Sequence, residues 1–147
     1  MRTISATVLL LGLIGSAACG SSPTNPSAPT ASGLPGTWQA TRAEYVAGSV
    51  RVDRVSQGTT MVLTLNAGGS YVLKATAPGR PDDTTDGSWT ASSDLLTLRP
   101  TGMSWSIEFE MTVNTTTLTL NGGHVAYDIN GDGVDEECVL NATWARR

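Results

Sequence analysis

The sequence predicts an all-β domain, an up-and-down antiparallel β-barrel, and three observations carry that prediction. Apolar and polar residues alternate through most of the chain after residue 34, the period-two signature of strands with one covered face. Thr and Val recur within the alternating runs, and β-branched residues favour strands. Gly- and Asn-containing turns separate the runs at short intervals, which places consecutive strands side by side.

The clearest strand is Ser104 to Val113. Trp105, Ile107, Phe109, Met111 and Val113 fall on one face; Ser104, Ser106, Glu108, Glu110 and Thr112 fall on the other. The same alternation appears at Met61, Leu63 and Leu65, at Tyr71, Leu73 and Ala75, and at Leu96 and Leu98. It returns at Leu118 and Leu120, at Val125, Tyr127 and Ile129, and at Cys138, Leu140, Ala142 and Trp144. Asn66-Ala67-Gly68-Gly69, Asn114-Thr115 and Asn121-Gly122-Gly123 read as hairpin turns, because Asn and Gly tolerate positive φ. Eight to ten strands in one small domain favour closure into a barrel, which removes exposed edges. A two-sheet β-sandwich is the alternative.

The N-terminus reads differently. One cation at Arg2, an apolar run from Ile4 to Ile14 and small residues up to Ala18 make an export signal over residues 1–18. The run is too short to span a bilayer, which takes about 20 residues. Ser16-Ala17-Ala18-Cys19 resembles a bacterial lipobox, with Ser16 where that motif usually carries Leu or Val. The resemblance implies lipid attachment at Cys19. Residues 19–33 are a charge-free Ser/Thr/Pro-rich stretch, the composition of an extended tether. The expected location is therefore the bacterial cell envelope, at the membrane through the lipid anchor. The lack of an acidic residue after Cys19 favours the outer membrane over the inner one. Ordinary secretion is the alternative, since Ser16-x-Ala18 also suits the general peptidase. Lipidation of Cys19 leaves Cys138 as a free, inward-facing thiol, whereas simple secretion leaves a Cys19–Cys138 bridge open.

The folded domain spans residues 34–147. The chain carries a net charge of −4, which argues against nucleic acid as a partner. Gly36-Thr37-Trp38 opens the first strand, and a G-x-W at that place resembles the lipocalin family and the bacterial lipocalin-like domains. The resemblance implies a calycin-type barrel with Trp38 as the plug of one end and Gly36 as a close-approach residue. It also implies a small apolar or amphipathic ligand. The tripeptide recurs as Gly87-Ser88-Trp89, as an echo between two barrel strands or simply as two strands that each start with Gly and a core Trp. Parity from Trp38 points Arg42 and Glu44 inward unless a bulge intervenes, so the candidate ligand residues are Trp38, Arg42, Glu44, Tyr71 and Trp105. A solid barrel that acts as a structural or interaction protein is the competing expectation.

A calcium ion is the expected cofactor. Asp128, Asn130 and Asp132 stand at loop positions one, three and five, with Gly133 at six, the Val134 carbonyl at seven and Glu136 at nine. Hard Ca²⁺ takes several oxygens from alternate positions of a tight loop. Up to that point the loop resembles those of dockerins and EF-hands, and it departs from them with Val139 at position twelve. Its strand-like flanks bring it closer to the D-x-[DN]-x-D-G loop of integrin-type repeats. Its role would be structural, with a metal-free acidic turn as the alternative. No enzyme is expected: His124 stands alone, and the chain has no G-x-S-x-G, HExxH or CxxC.

Overall fold

The computed structural model describes residues 33–147. The signal segment, the lipid-attachment residue Cys19 and nearly all of the tether lie outside them. Nine strands follow in order: β1 (Gly36–Ala47), β2 (Val50–Asp53), β3 (Thr60–Leu65), β4 (Ser70–Thr76), β5 (Asp83–Ala91), β6 (Leu95–Pro100), β7 (Ile107–Val113), β8 (Thr117–Tyr127) and β9 (Glu136–Arg146). There is no helix among the described residues. All pairs are antiparallel, neighbours in the sheet follow chain order from β3 onward, and β9 pairs back onto β1. The result is a closed eight-stranded up-and-down barrel, with β2 added outside the ring as a hairpin on β1. Closure rules out the sandwich arrangement and fits a calycin-type barrel.

Alternation fills the interior as expected. Met61, Leu63 and Leu65 are buried on β3, Leu96 and Leu98 on β6, and Leu140, Ala142 and Trp144 on β9. Trp38, Leu34, Tyr71, Leu118 and Leu120 are completely or almost completely buried. Glu108 and Glu110 face solvent on β7.

Two β-bulges break the simple parity. In β1, the register against β9 slips between Ala40 and Arg42. One extra residue exchanges the faces beyond it, so Ala43 is fully buried while Arg42 is exposed. The inward placement of Arg42 and Glu44 is thereby corrected. Both lie outside, where Arg42 pairs with Glu44 at 2.9 Å and Arg51 reaches Glu44 at 3.5 Å. The slip also alters the partner strand. β3 pairs with β1 only from Gly36 to Gln39, and β2 takes over from Glu44 to Ala47. Between them, the Ala43 N–H donates to Asp53 Oδ1 (3.1 Å) and the Ala43 carbonyl accepts from Arg54 N (2.9 Å), so the backbone there stays paired.

The second bulge lies in β8, between Leu120 and Gly123. Gly122 has φ +79° and donates its N–H to Asn141 Oδ1 at 3.0 Å. Asn121-Gly122-Gly123 is thus a bend within one eleven-residue strand rather than a hairpin. Beyond it β8 stays on β9, while its pairing with β7 ends at Asn121.

A two-ended barrel and its candidate ligand cavity

The strand ends define two unlike poles. At one, β1 begins and β9 finishes. Trp38 fills this pole and its Nε1–H donates to Leu34 O at 3.0 Å. Arg146 lies over the Trp38 ring, 4.1 Å from its centroid, a cation–π contact. The same guanidinium donates to the Thr115, Pro35 and Gly33 carbonyls. Gly36 has φ +147°, and a Cβ there would run into Arg146. Trp38 therefore closes this end, and Gly36 stands where a side chain would displace Arg146. Sequence reading missed Arg146, because nothing local marks a C-terminal arginine as the cap of an indole 108 residues earlier. Trp89 sits near the same pole, late in β5 rather than at its start, with its Nε1–H on Asn66 O at 3.0 Å.

The opposite pole carries β2, the β4–β5 and β6–β7 loops and the acidic β8–β9 loop. A cavity of about 300 Å³ opens here, lined by Tyr45, Arg54, Thr59, Arg80, Asp83 and Tyr127 among others. A second cavity of about 150 Å³ lies deeper, lined mainly by apolar side chains such as Leu63, Phe109, Leu120 and Leu140, with Tyr71 and Trp144. Met61, Leu73 and Thr85 border both, so the two adjoin. Apolar depth with a few polar groups at the mouth is the usual make-up of a small-molecule site.

Of the expected ligand residues, Tyr71 lines the deeper cavity. Trp38 lies in the plug and lines neither cavity, and Arg42 and Glu44 are outside. Trp105 is corrected in part. The strand expected from Ser104 starts at Ile107, because β6–β7 pairing stops at Leu98–Ile107 and the connecting loop needs the preceding residues. Trp105 is half exposed in that loop. It nevertheless borders the deeper cavity and also an outer groove of about 520 Å³ with His124, Val125 and Glu137. The groove lies where β8 has parted from β7. His124 faces it from mid-strand rather than from a hairpin, with Nδ1 3.2 Å from Glu137 Oε1 on the exposed face.

Tyr45 and Tyr127 meet at the mouth, their centroids 4.3 Å apart, with Arg54 5.4 Å from the Tyr127 ring centroid. Burial, reinforced by Tyr127, pushes the Tyr45 hydroxyl up to about 12. Burial also raises Tyr71. Cys138 is buried as expected, its Sγ 3.6 Å from Tyr127 O. Burial, with Glu136 and Asp135 nearby, raises its thiol and favours the protonated form.

The acidic loop folds onto its own amides. Asp128 accepts from Gly131, Asp132 and Gly133 N, while Asp132 accepts from Val134 N at 2.8 Å. Asn130 Nδ2 lies 3.0 Å from Asp132 Oδ2 and 2.7 Å from Glu136 Oε1. Glu136 Oε2 accepts from Ile129 N at 3.0 Å. Among the described residues, no three His, Cys, Asp or Glu side chains stand close enough together to form a metal cage. The donors available are these carboxylates with the Asn130 amide, and the loop amides meet much of their demand.

No family model matches the chain, and no curated protein matches it. Solved structures similar to it include an uncharacterised protein from Bacteroides eggerthii, with TM-score 0.49 and 11% identity over 77% of this chain and 98% of that one. Another is EF1p2_mFAP2b bound to DFHBI, with TM-score 0.47 and 16% identity over 78% of this chain and 94% of that one. The barrel assignment rests on this chain's own strand pairing.

Proposed function

We propose that this chain is a lipocalin-like lipoprotein of the bacterial envelope, anchored through Cys19, whose barrel binds a small apolar or amphipathic molecule through its open pole. Its task is binding rather than catalysis. The observation that carries the reading is the pair of adjoining cavities behind the mouth, apolar in depth and polar at the rim, above a plugged end. Their size suits a compact molecule better than a long extended chain. Titration with 1-anilinonaphthalene-8-sulfonate, a compact amphipathic dye, should give saturable quenching of Trp emission near one dye per chain. Absence of saturable binding favours the solid-barrel alternative. The anchor is supported by the lipobox resemblance and the charge-free tether. Mass spectrometry of the mature N-terminus should find acylated Cys19; an unmodified cysteine returns the protein to the secreted class.

Calcium in the β8–β9 loop is a second part of the proposal. It is supported by the way Asn130 Nδ2 bridges Asp132 and Glu136. An amide N–H group there partly offsets two carboxylates, and a divalent cation answers the same electrostatic demand more fully. The ion would brace the last hairpin. Calcium should raise the melting temperature, and Asp132→Ala should abolish the rise; no response to calcium would sink this part.

A further inference from the structure

The cavity's polar atoms say more about its occupant than its volume does. Among the described residues, two buried side-chain polar atoms have no hydrogen-bond partner, Thr59 Oγ1 and Trp144 Nε1. Thr59 is 7% exposed and Trp144 is 3% exposed. Buried polar groups in folded proteins are almost always paired, so each exception asks for an explanation. Both residues border the cavities: Trp144 the deeper one, Thr59 the mouth.

The contrast with the other buried indoles is direct. Trp38 and Trp89 each donate Nε1–H to a backbone carbonyl at 3.0 Å. This fold thus supplies acceptors to the indoles of Trp38 and Trp89 and supplies none to Trp144, which lies one layer further in from the plug, paired with Ala40 and Leu118 in the ring. An indole N–H only donates, so whatever meets it must accept. Thr59 lies just before β3, at the mouth, and its hydroxyl donates or accepts.

We propose that the occupant is a compact ring-bearing molecule with a hydrogen-bond acceptor at its leading end, received by Trp144 Nε1–H, and a second polar group at its trailing end within reach of Thr59 Oγ1. The chemical class is an aromatic or alicyclic ketone, ether or phenol rather than a plain hydrocarbon or an unbranched fatty chain. The deeper cavity, about 150 Å³, has the size of apolar cavities that take a single benzene ring. This inference rests on the binding reading above and specifies the ligand for the same site.

Two probes of one shape test it: acetophenone and α-methylstyrene, in which a methylene replaces the carbonyl oxygen. Affinities are measured on the intact protein and on Trp144→Phe. Comparing the two affinities within each protein cancels the greater hydrophobicity of the hydrocarbon. Loss of the indole N–H should lower the ratio of acetophenone to α-methylstyrene affinity about threefold to tenfold, as expected for one neutral hydrogen bond. In ¹H–¹⁵N spectra, acetophenone should move the Trp144 Nε1–H signal downfield, and α-methylstyrene should not. The second arm does not depend on Trp144→Phe folding. Thr59→Val should lower the preference for 4-hydroxyacetophenone over acetophenone and leave the preference for acetophenone over α-methylstyrene unchanged. If both first probes bind and Trp144→Phe leaves the ratio of their affinities unchanged, the acceptor assignment is overturned while the binding site stands. If neither binds the unsubstituted protein while 1-anilinonaphthalene-8-sulfonate does, this inference falls and the binding reading stands; if none of the three binds, both fall.

Discussion

The two poles of the barrel are made from the same kinds of residue and do opposite things with them. At the plugged pole, Trp38 and Trp89 donate to carbonyls, and Arg146 covers one ring while closing three further carbonyls. At the open pole two tyrosines are crowded together, Thr59 lacks a partner, and an outer groove follows the parting of β7 and β8. A satisfied polar network rigidifies a fold, whereas an unsatisfied one costs stability and is retained where something else completes it. One pole therefore holds the barrel together, and the other leaves the opening on which the proposed binding rests.

The largest break in that contrast should come from the plugged pole. Trp38→Ala removes a fully buried indole and leaves Arg146 without its ring. The expected loss is about 3–5 kcal/mol, the usual range for a buried aromatic cut to alanine, read as a fall in the urea midpoint. The open pole should respond next, to alkali. The Tyr45 hydroxyl ionises near 12 in the fold against 10.0 ordinarily, first because it is buried and then because Tyr127 adjoins it. A pKa raised by folding gives stability that is full below pH 10 and is lost as pH climbs toward 12. The loss should approach about 2–3 kcal/mol at the top of that window. Tyr45→Phe removes the ionisable group and should flatten that part of the pH–stability curve. An unchanged slope would show that Tyr45 is not the group concerned.

Architecture was legible in the sequence wherever a strand kept strict period two. Met61 to Leu65, Leu96 to Leu98 and Cys138 to Trp144 all turn the expected side chains inward. The site was less legible, because two bulges decide which residues face it. Thr41 and Gly122 each fall beside a slip of register against β9, and the strand residues beyond each slip change face. No local composition marks the first slip: Ala40-Thr41-Arg42 reads as ordinary strand. The second carries Gly-Gly, which suits a hairpin as well as a bulge. Arg54, Arg80 and Thr59 reach the mouth from loops, where alternation says nothing. The missing partner of Trp144 Nε1 depends on where backbone carbonyls lie in three dimensions, so the indole reads in sequence as one more core residue.

The smallest effect sharpens the comparison most. If β1 kept its parity through residue 44, Arg42 and Glu44 would be a charged pair inside the barrel, and Arg42→Ala would strand Glu44 at a cost of about 3–5 kcal/mol. The slip beside Thr41 moves the pair outside. There the Arg42 side chain is 57% exposed and that of Glu44 16%, and Arg51 also reaches Glu44, so the carboxylate keeps a partner when Arg42 is removed. Exposed ion pairs contribute little, because water screens them and ordering two long side chains costs entropy. Arg42→Ala should therefore shift stability by less than about 0.5 kcal/mol and leave dye binding unchanged. A loss of several kcal/mol would place Arg42 back inside and with it the original parity of β1. A null result, beside the large loss expected for Trp38→Ala four residues earlier on the same strand, would locate the change of face between them.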